Sequence, residues 1–316
     1  MTLDNILEEI KKADSIVLLG HENPDGDAIG SCLAMKLALE QMGKKADLIM
    51  PEYPKEFSFL PGADTIIKQS DVQSYDLVIT LDCATTKLIS SFFKYFENAK
   101  SKVSIDHHGM NSMYADYNFV DQEAPACTQL LYVVFKYFNI EITKDMATCL
   151  IAGIITDTNG FRNDSVTSET FRITAELCDT GINISKIYQK VFCDKSKVQF
   201  ELQKLAQSRM EFFEDGKIAY TYISKEDEER LGSKNGDYDG IVNIGLNVEG
   251  VEVSMFIRDT PKGARCSLRA KDYVNVAQVA LMFGGGGHIK AAACTVQGTI
   301  EQAKNQILNR VKTCIK

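Results

Sequence analysis

The chain has 316 residues, 45% hydrophobic and 25% charged, with a formal net charge of −8. That length suits two domains of ordinary globular composition, and the acidic balance argues against wrapping long DNA or RNA, which needs a broad basic surface. No apolar run approaches the roughly 20 residues of a membrane span, so no membrane partner is expected.

The opening MTLDNILEEIKKADS reads as an acidic amphipathic helix start and not as a signal peptide. SIVLLGH (15–21) is an apolar strand, and DAIGSCLAMKLALEQMG (27–43) carries apolar residues at helical spacing. KADLIM is a second strand, stopped by Pro51. YDLVITLDCA is a third, followed by the helix-like TKLISSFFKYFENA, and KVSIDHH is another strong strand. APACTQLLYVVFKYF and DMATCLIAGIITDTNG read as buried helices. Strands that are apolar throughout, each followed by a helix, indicate a parallel sheet covered on both faces. The fold class is therefore α/β, with this domain over 1–185. From 186 to 213 the pattern is helical, polar and lysine-rich without a strand, which predicts a helical linker. KIAYTYIS, KEDEERLG, VEVSMFIRD, ARCSLRA and a closing helix then fit a smaller α+β domain over 214–316. Nine cysteines, an odd number with no CxxC pair, read as reduced thiols in a cytoplasmic protein.

Four segments of the first domain end in acidic or imidazole groups: His21-x-x-x-Asp25-x-Asp27, Asp82, Asp106-His107-His108, and Asp157. The first three lie at carboxyl ends of predicted strands, the edge at which ligands bind in open parallel sheets. Each alone has a plain alternative. Asp25-Gly26-Asp27 can be a turn and helix cap, and Asp82 or Asp157 can be turn residues. Together they make a crowd of carboxylates that repel one another unless a cation is present. Mostly oxygen ligands with a minority of imidazoles suit Mn²⁺, with Mg²⁺ or Co²⁺ as substitutes. The ligands outnumber what one ion takes, so two ions sharing a carboxylate is the economical arrangement. The chain has only four histidines. Three lie in these segments and the fourth, His288, follows a glycine run. Between Arg258 and Lys290 six basic residues face two acidic ones, a local basic patch on an acidic background.

HENPDGDAIGS, LDCA, SIDHHGMN and TDTNGF, in that order, resemble the motifs of the DHH phosphoesterase superfamily. GARCSLRA followed by VNVAQVALMFGGGGHIKAAACTV resembles its companion DHHA1 domain. The resemblance implies that His21, Asp25 and Asp82 hold one metal and that Asp27, Asp82, His107 and Asp157 hold the other. A bridging hydroxide would then attack phosphorus in line. It implies that His108 stabilises charge on the scissile phosphate and that Asp106 orients a histidine ring. In the second domain it implies phosphate contacts from Gly285, Gly286, Gly287, His288 and Arg269, with Arg258 a weaker candidate; Arg162 is as much a surface charge as a substrate contact. The glycine run alone also reads as a helix-ending turn.

Within the superfamily, membrane-bound cyclic-dinucleotide phosphodiesterases carry modules before the first motif, which here begins at residue 21. RecJ exonucleases carry an extra OB-type domain, and family II pyrophosphatases lack the GGGH pattern. The resemblance therefore points to the short cytoplasmic branch. That branch includes the bifunctional oligoribonuclease/3′-phosphoadenosine 5′-phosphate phosphatases, with cyclic di-AMP or pApA phosphodiesterases as the alternative. Short RNA oligonucleotides or small nucleotides are the expected partners, a homodimer is compatible with the sequence, and long DNA is not expected to bind.

Overall fold

The structure, a computed structural model, describes residues 2–234 and 236–316. The chain divides into two compact units, Met1–Asp194 and Lys195–Lys316. The first begins with α1 (Thr2–Lys12) and then alternates β1 (Ile16–Leu19), α2 (Gly26–Gln41), β2 (Ala46–Ile49), β3 (Leu77–Leu81), α3 (Phe93–Glu97), β4 (Ser101–Asp106) and β5 (Tyr117–Val120). Four helices follow: α4 (Cys127–Tyr137), α5 (Lys144–Asp157), α6 (Ser168–Asp179) and α7 (Ile184–Tyr188). The strands form one parallel sheet in the order β2-β1-β3-β4-β5.

Strand β1 shows why such strands are apolar at every position. Ile16 and Leu18 join the core that contains α2, α4 and α5, while Val17 and Leu19 join a second core with Phe92, Tyr95 and Phe96. Both faces are covered, as the sequence predicts. The stretch 86–99, expected as one helix, is a 3₁₀ segment (Thr86–Phe92) followed by α3. Thr85 supplies no side-chain cap, and Ile89 leaves helical geometry where its buried side chain packs into the second core. Strand β5 was not legible in the sequence, because YNFV is polar in part and only half-buried at the sheet edge.

Helix α2 is buried almost all round, which requires small residues where helices cross. At Gly30 a Cβ would meet the Cys149 carbonyl oxygen of α5 at 2.5 Å, and at Gly153 one would meet Thr128 and Asp27 at 2.4–2.5 Å. These glycines seat α2, α4 and α5 close enough for side chains of all three to meet.

The second unit contains α8 (Lys197–Ser208), β6 (Glu211–Phe213), β7 (Ile218–Ile223), α9 (Lys225–Leu231), α10 (Ile241–Leu246), β8 (Val253–Thr260), β9 (Gly263–Ala270), α11 (Val276–Leu281), β10 (Gly286–His288), β11 (Ala291–Val296) and α12 (Ile300–Lys312). Its six-stranded sheet runs β10-β11-β9-β8-β7-β6, with only β7 and β8 parallel. One face packs buried residues of α11 and α12, the other those of α8 and α10. The segment 186–213, expected as a strand-free linker, is shared between the units. Helix α7 and a π turn (Gln189–Cys193) stay with the first, α8 packs within the second, and Glu211–Phe213 is an edge strand. Glu214, Asp215 and Gly216, at φ of 51, 50 and 86°, fold β6 back onto β7 as a hairpin. All nine cysteines are free, and among the described residues no helix is long and apolar enough to cross a membrane.

Replacing Gly30 by Ala tests the helix crossing. The added methyl gains about 1 kcal/mol of helix propensity but must displace a backbone carbonyl, and overpacking of this kind costs roughly 1–3 kcal/mol. Gly30→Ala is expected to lower the urea midpoint of the first unit, measured by circular dichroism; an unchanged or raised midpoint would refute the tight crossing.

Candidate functional site

The parallel strands deliver their ends to one edge. His21 lies two residues past β1, Asp82 directly follows β3, and Asp106 ends β4 with His107 and His108 after it; Asp157 arrives as the last residue of α5. Asp25 is the N-cap of α2, its Oδ1 accepting from the backbone N–H groups of Asp27 and Ala28 at 3.1 Å. The turn-and-cap role thus holds alongside its place in the cluster, 3.9 Å from His21 Nε2. Asp27 is fully buried. Its carboxylate accepts from Cys127 N (2.6 Å), Thr128 N (3.0 Å) and Thr128 Oγ1 (2.6 Å). Helix α4 has no side-chain cap of its own; a carboxylate from α2 supplies it.

Asp82 sits between the imidazoles. Its Oδ2 is 3.6 Å from His21 Nε2, and its Oδ1 is 3.4 Å from His107 Nε2. It adopts φ 58°, a left-handed conformation that costs a non-glycine residue of order 1 kcal/mol or more and turns the carboxylate back over the sheet edge. His107 Nδ1 lies 3.1 Å from the Ala124 carbonyl and donates to it, which fixes the tautomer and leaves Nε2 directed into the cluster. That Nε2 is 3.2 Å from Asp157 Oδ2 and 3.9 Å from Asp27 Oδ2. Three groups emerge whose ligand atoms lie within 4.8 Å of one another: His21, Asp25 and Asp82; Asp27, His107 and Asp157; and Asp82, His107 and His108. Asp106 is engaged elsewhere, by His108 Nδ1 at 2.7 Å and Asn111 Nδ2 at 2.6 Å.

The donors fit divalent cations. Asp82 Oδ1 and His107 Nε2 are buried without a hydrogen-bond partner, a rare and costly state for interior polar atoms. Burial raises the Asp27 carboxyl well above its ordinary range, and the charges of Asp82 and Asp157 raise it further. Burial opposes charge on His107, yet Asp157 and Asp82 overcome this and push its pKa up to about 12. A site that would keep a proton on imidazole to that pH demands positive charge, and a cation among the carboxylates meets the demand. His108 is likewise raised, by its hydrogen bond to Asp106.

In the second unit, strand register aligns two predicted residues. Arg269 of β9 pairs with Ala291 of β11, which pairs with His288 of β10. Arg269 and His288 therefore occupy one row of the sheet, separated only by a methyl side chain. Arg258 lies four residues along β8 from this row, roughly 13 Å away, with its guanidinium 4.5 Å above the Tyr238 ring and 3.7 Å from Glu228 Oε1. The glycine run is not an open loop. Gly284 (φ 71°) and Gly285 close α11, with Gly285 N donating to the Ala280 carbonyl, so the helix-ending turn is present. Gly286 and Gly287 belong to β10, and Cβ atoms at Gly285 or Gly287 would collide with β11 backbone at 2.1–2.4 Å. Arg162 is exposed, just past three left-handed residues, Asn159, Gly160 and Phe161. Sequence reasoning missed Thr128, which carries no local signal, and Asn111, whose position three residues beyond His108 was a readable one.

Residues 15–154 match the DHH family N-terminal domain and residues 215–316 match the DHHA1 domain. A bifunctional oligoribonuclease and PAP phosphatase NrnA from Thermus thermophilus is 29% identical over 312 residues, covering 97% of this chain and 93% of its own. The Bacillus subtilis protein of the same description is 24% identical over 317 residues, covering 98% of each. The crystal structure of an exopolyphosphatase-related protein from Bacteroides fragilis superposes with a TM-score of 0.94 at 28% identity, over 99% of this chain and 96% of that one. With its motif histidines and aspartates gathered at one sheet edge and a DHHA1 domain behind them in the chain, the protein belongs to the DHH family of phosphoesterases.

Proposed function

We propose that this phosphoesterase hydrolyses short oligoribonucleotides to mononucleotides and converts 3′-phosphoadenosine 5′-phosphate to AMP, with two divalent ions, Mn²⁺ foremost, in the cluster. The observation that carries the reading is Asp82, whose two carboxylate oxygens face His21 on one side and His107 on the other. His21, Asp25 and Asp82 would hold one ion; Asp27, Asp82, His107 and Asp157 would hold the other. Bound there, such ions lower the pKa of water and neutralise charge on a phosphoryl group. The chain's own groups do the rest. Asp27 and His107 are held by α4 and by the Ala124 carbonyl, so ligand positions need no rearrangement. His108, its charged form favoured by Asp106, can donate from Nε2 to a phosphoryl oxygen as charge grows there. Arg269 and His288 would supply cationic and hydrogen-bond-donating contacts for a further phosphate, one that both an oligonucleotide and 3′-phosphoadenosine 5′-phosphate carry. Supporting this substrate class, the relatives from T. thermophilus and B. subtilis bear that description, and the acidic surface disfavours long nucleic acid.

Three measurements test the reading. Asp82→Asn is expected to keep the fold by circular dichroism, to lower the Mn²⁺ stoichiometry seen by calorimetry and to reduce turnover of a two-residue RNA by more than roughly 100-fold; near-normal turnover would refute the shared ligand. Arg269→Ala should raise the KM for the same substrate roughly 10–100-fold, the value of a lost charge-assisted hydrogen bond, while Arg258→Ala, whose guanidinium already serves Glu228 and Tyr238, should leave it near wild type. Offered a two-residue RNA, a long RNA, 3′-phosphoadenosine 5′-phosphate and cyclic di-AMP with Mn²⁺, the protein should consume the first and third fastest. Preferential opening of cyclic di-AMP would overturn the substrate assignment and move the protein to cyclic-dinucleotide turnover.

A further inference from the structure

Asn111 lies beside the cluster, and no part of the chemistry above uses its contacts. It lies on the turn after β4, and its backbone N–H donates to the His108 carbonyl at 3.1 Å. Its Oδ1 accepts from Met113 N at 2.7 Å, which fixes which end of the amide is which. The Nδ2 end therefore points inward, where it donates to Asp106 Oδ2 at 2.6 Å and to the Cys83 carbonyl at 3.2 Å. Two amide protons meet two acceptors, one at the end of β4 and one just past β3.

Asp106 is fully buried and has two oxygens to satisfy. Oδ1 faces His108 Nδ1 at 2.7 Å and Oδ2 receives Asn111. A carboxylate held at one oxygen can still rotate about its Cβ–Cγ bond; held at both, its plane is set, and so is the imidazole bonded to it. We infer that Asn111 is a positioning residue, which orients the His108 ring for the reacting phosphate by clamping the far oxygen of Asp106. The inference rests on the phosphoester reading of the cluster in giving His108 its role, and it extends that site by one residue outside its histidines and aspartates.

The amide is the one common side chain of this size that accepts from Met113 and donates to a carboxylate at once. Asn111→Asp keeps the shape and the bond to Met113 but sets an acceptor against Asp106. Asn111→Ala, on a half-exposed turn, removes the clamp without adding charge. Both variants should reduce kcat on a two-residue RNA, and on bis(4-nitrophenyl) phosphate as a generic diester, by roughly 10–100-fold, with Tm lowered because Asp106 Oδ2 loses its donor and, in Asn111→Ala, with Mn²⁺ affinity unchanged. In a His108→Ala background neither should reduce kcat further, because the residue it positions is gone. The same loss in both backgrounds, or an unchanged kcat, would overturn the inference. A second readout needs no substrate. In the Mg²⁺-loaded full chain the downfield proton of His108 Nδ1–H, identified by its disappearance in His108→Ala, should shift or broaden in Asn111→Asp; an unmoved resonance would also overturn it. Failure of the wild-type protein to cleave any diester strikes the functional reading, and the resonance judges Asn111 independently.

Discussion

A carboxylate without access to water governs the first unit. Asp27 belongs to α2, accepts the leading N–H groups of α4, and faces the position where Gly153 of α5 leaves room for it. A buried anion is costly unless it is paired or hydrogen-bonded, and here the N-terminus of an otherwise uncapped helix provides both donors and a favourable dipole. The glycines that bring α2, α4 and α5 together are therefore part of the site as much as part of the core. Packing and chemistry share one set of atoms.

The same logic explains the order of the cluster. Burial, and then the charges of Asp82 and Asp157, push the Asp25 and Asp27 carboxyls up. Their mutual repulsion is offset by imidazoles whose far nitrogens are anchored outward, His107 on a backbone carbonyl and His108 on Asp106. Each ring thus has a fixed face, and the balance of charge that remains calls for cations. The left-handed backbone at Asp82 is a local cost accepted at the one residue that must face both histidines.

Much of this was legible in the chain. Continuous apolar strands such as IVLL and LVITL announce burial on both faces, and polar residues directly after them mark the functional edge. The parallel sheet sends every strand end the same way, which accounts for His21, Asp82 and Asp106 to His108, whereas Asp25 and Asp27 come from the start of α2 and Asp157 from the end of α5, and were listed through the family's motifs. What was illegible had physical causes. YNFV is an edge strand with no strong alternation, so burial gives it no signature. MEFF reads as the tail of an amphipathic helix until the left-handed Glu214–Gly216 turn reverses it. The glycine run does two things at once, ending α11 and permitting β10 to approach β11 within a distance that any side chain would forbid. A pattern that fits two roles cannot be assigned to one from composition. Asp25, both cap and cluster member, is a parallel case.

Strand β10 has a further consequence. It is three residues long, built largely of glycine, and lies at the sheet edge with β11 as its single neighbour. Short edge segments with few apolar contacts draw on the low end of local stability, and glycine adds the largest entropic cost of ordering. His288 stands in the row of Arg269 only while β10 is zipped onto β11. Whatever affinity that imidazole lends to a bound phosphate is scaled by the fraction of molecules in which the strand is paired. The register of β10 on β11, held by Ala291 and Ala293 across the ladder, is thus what places His288 in that row.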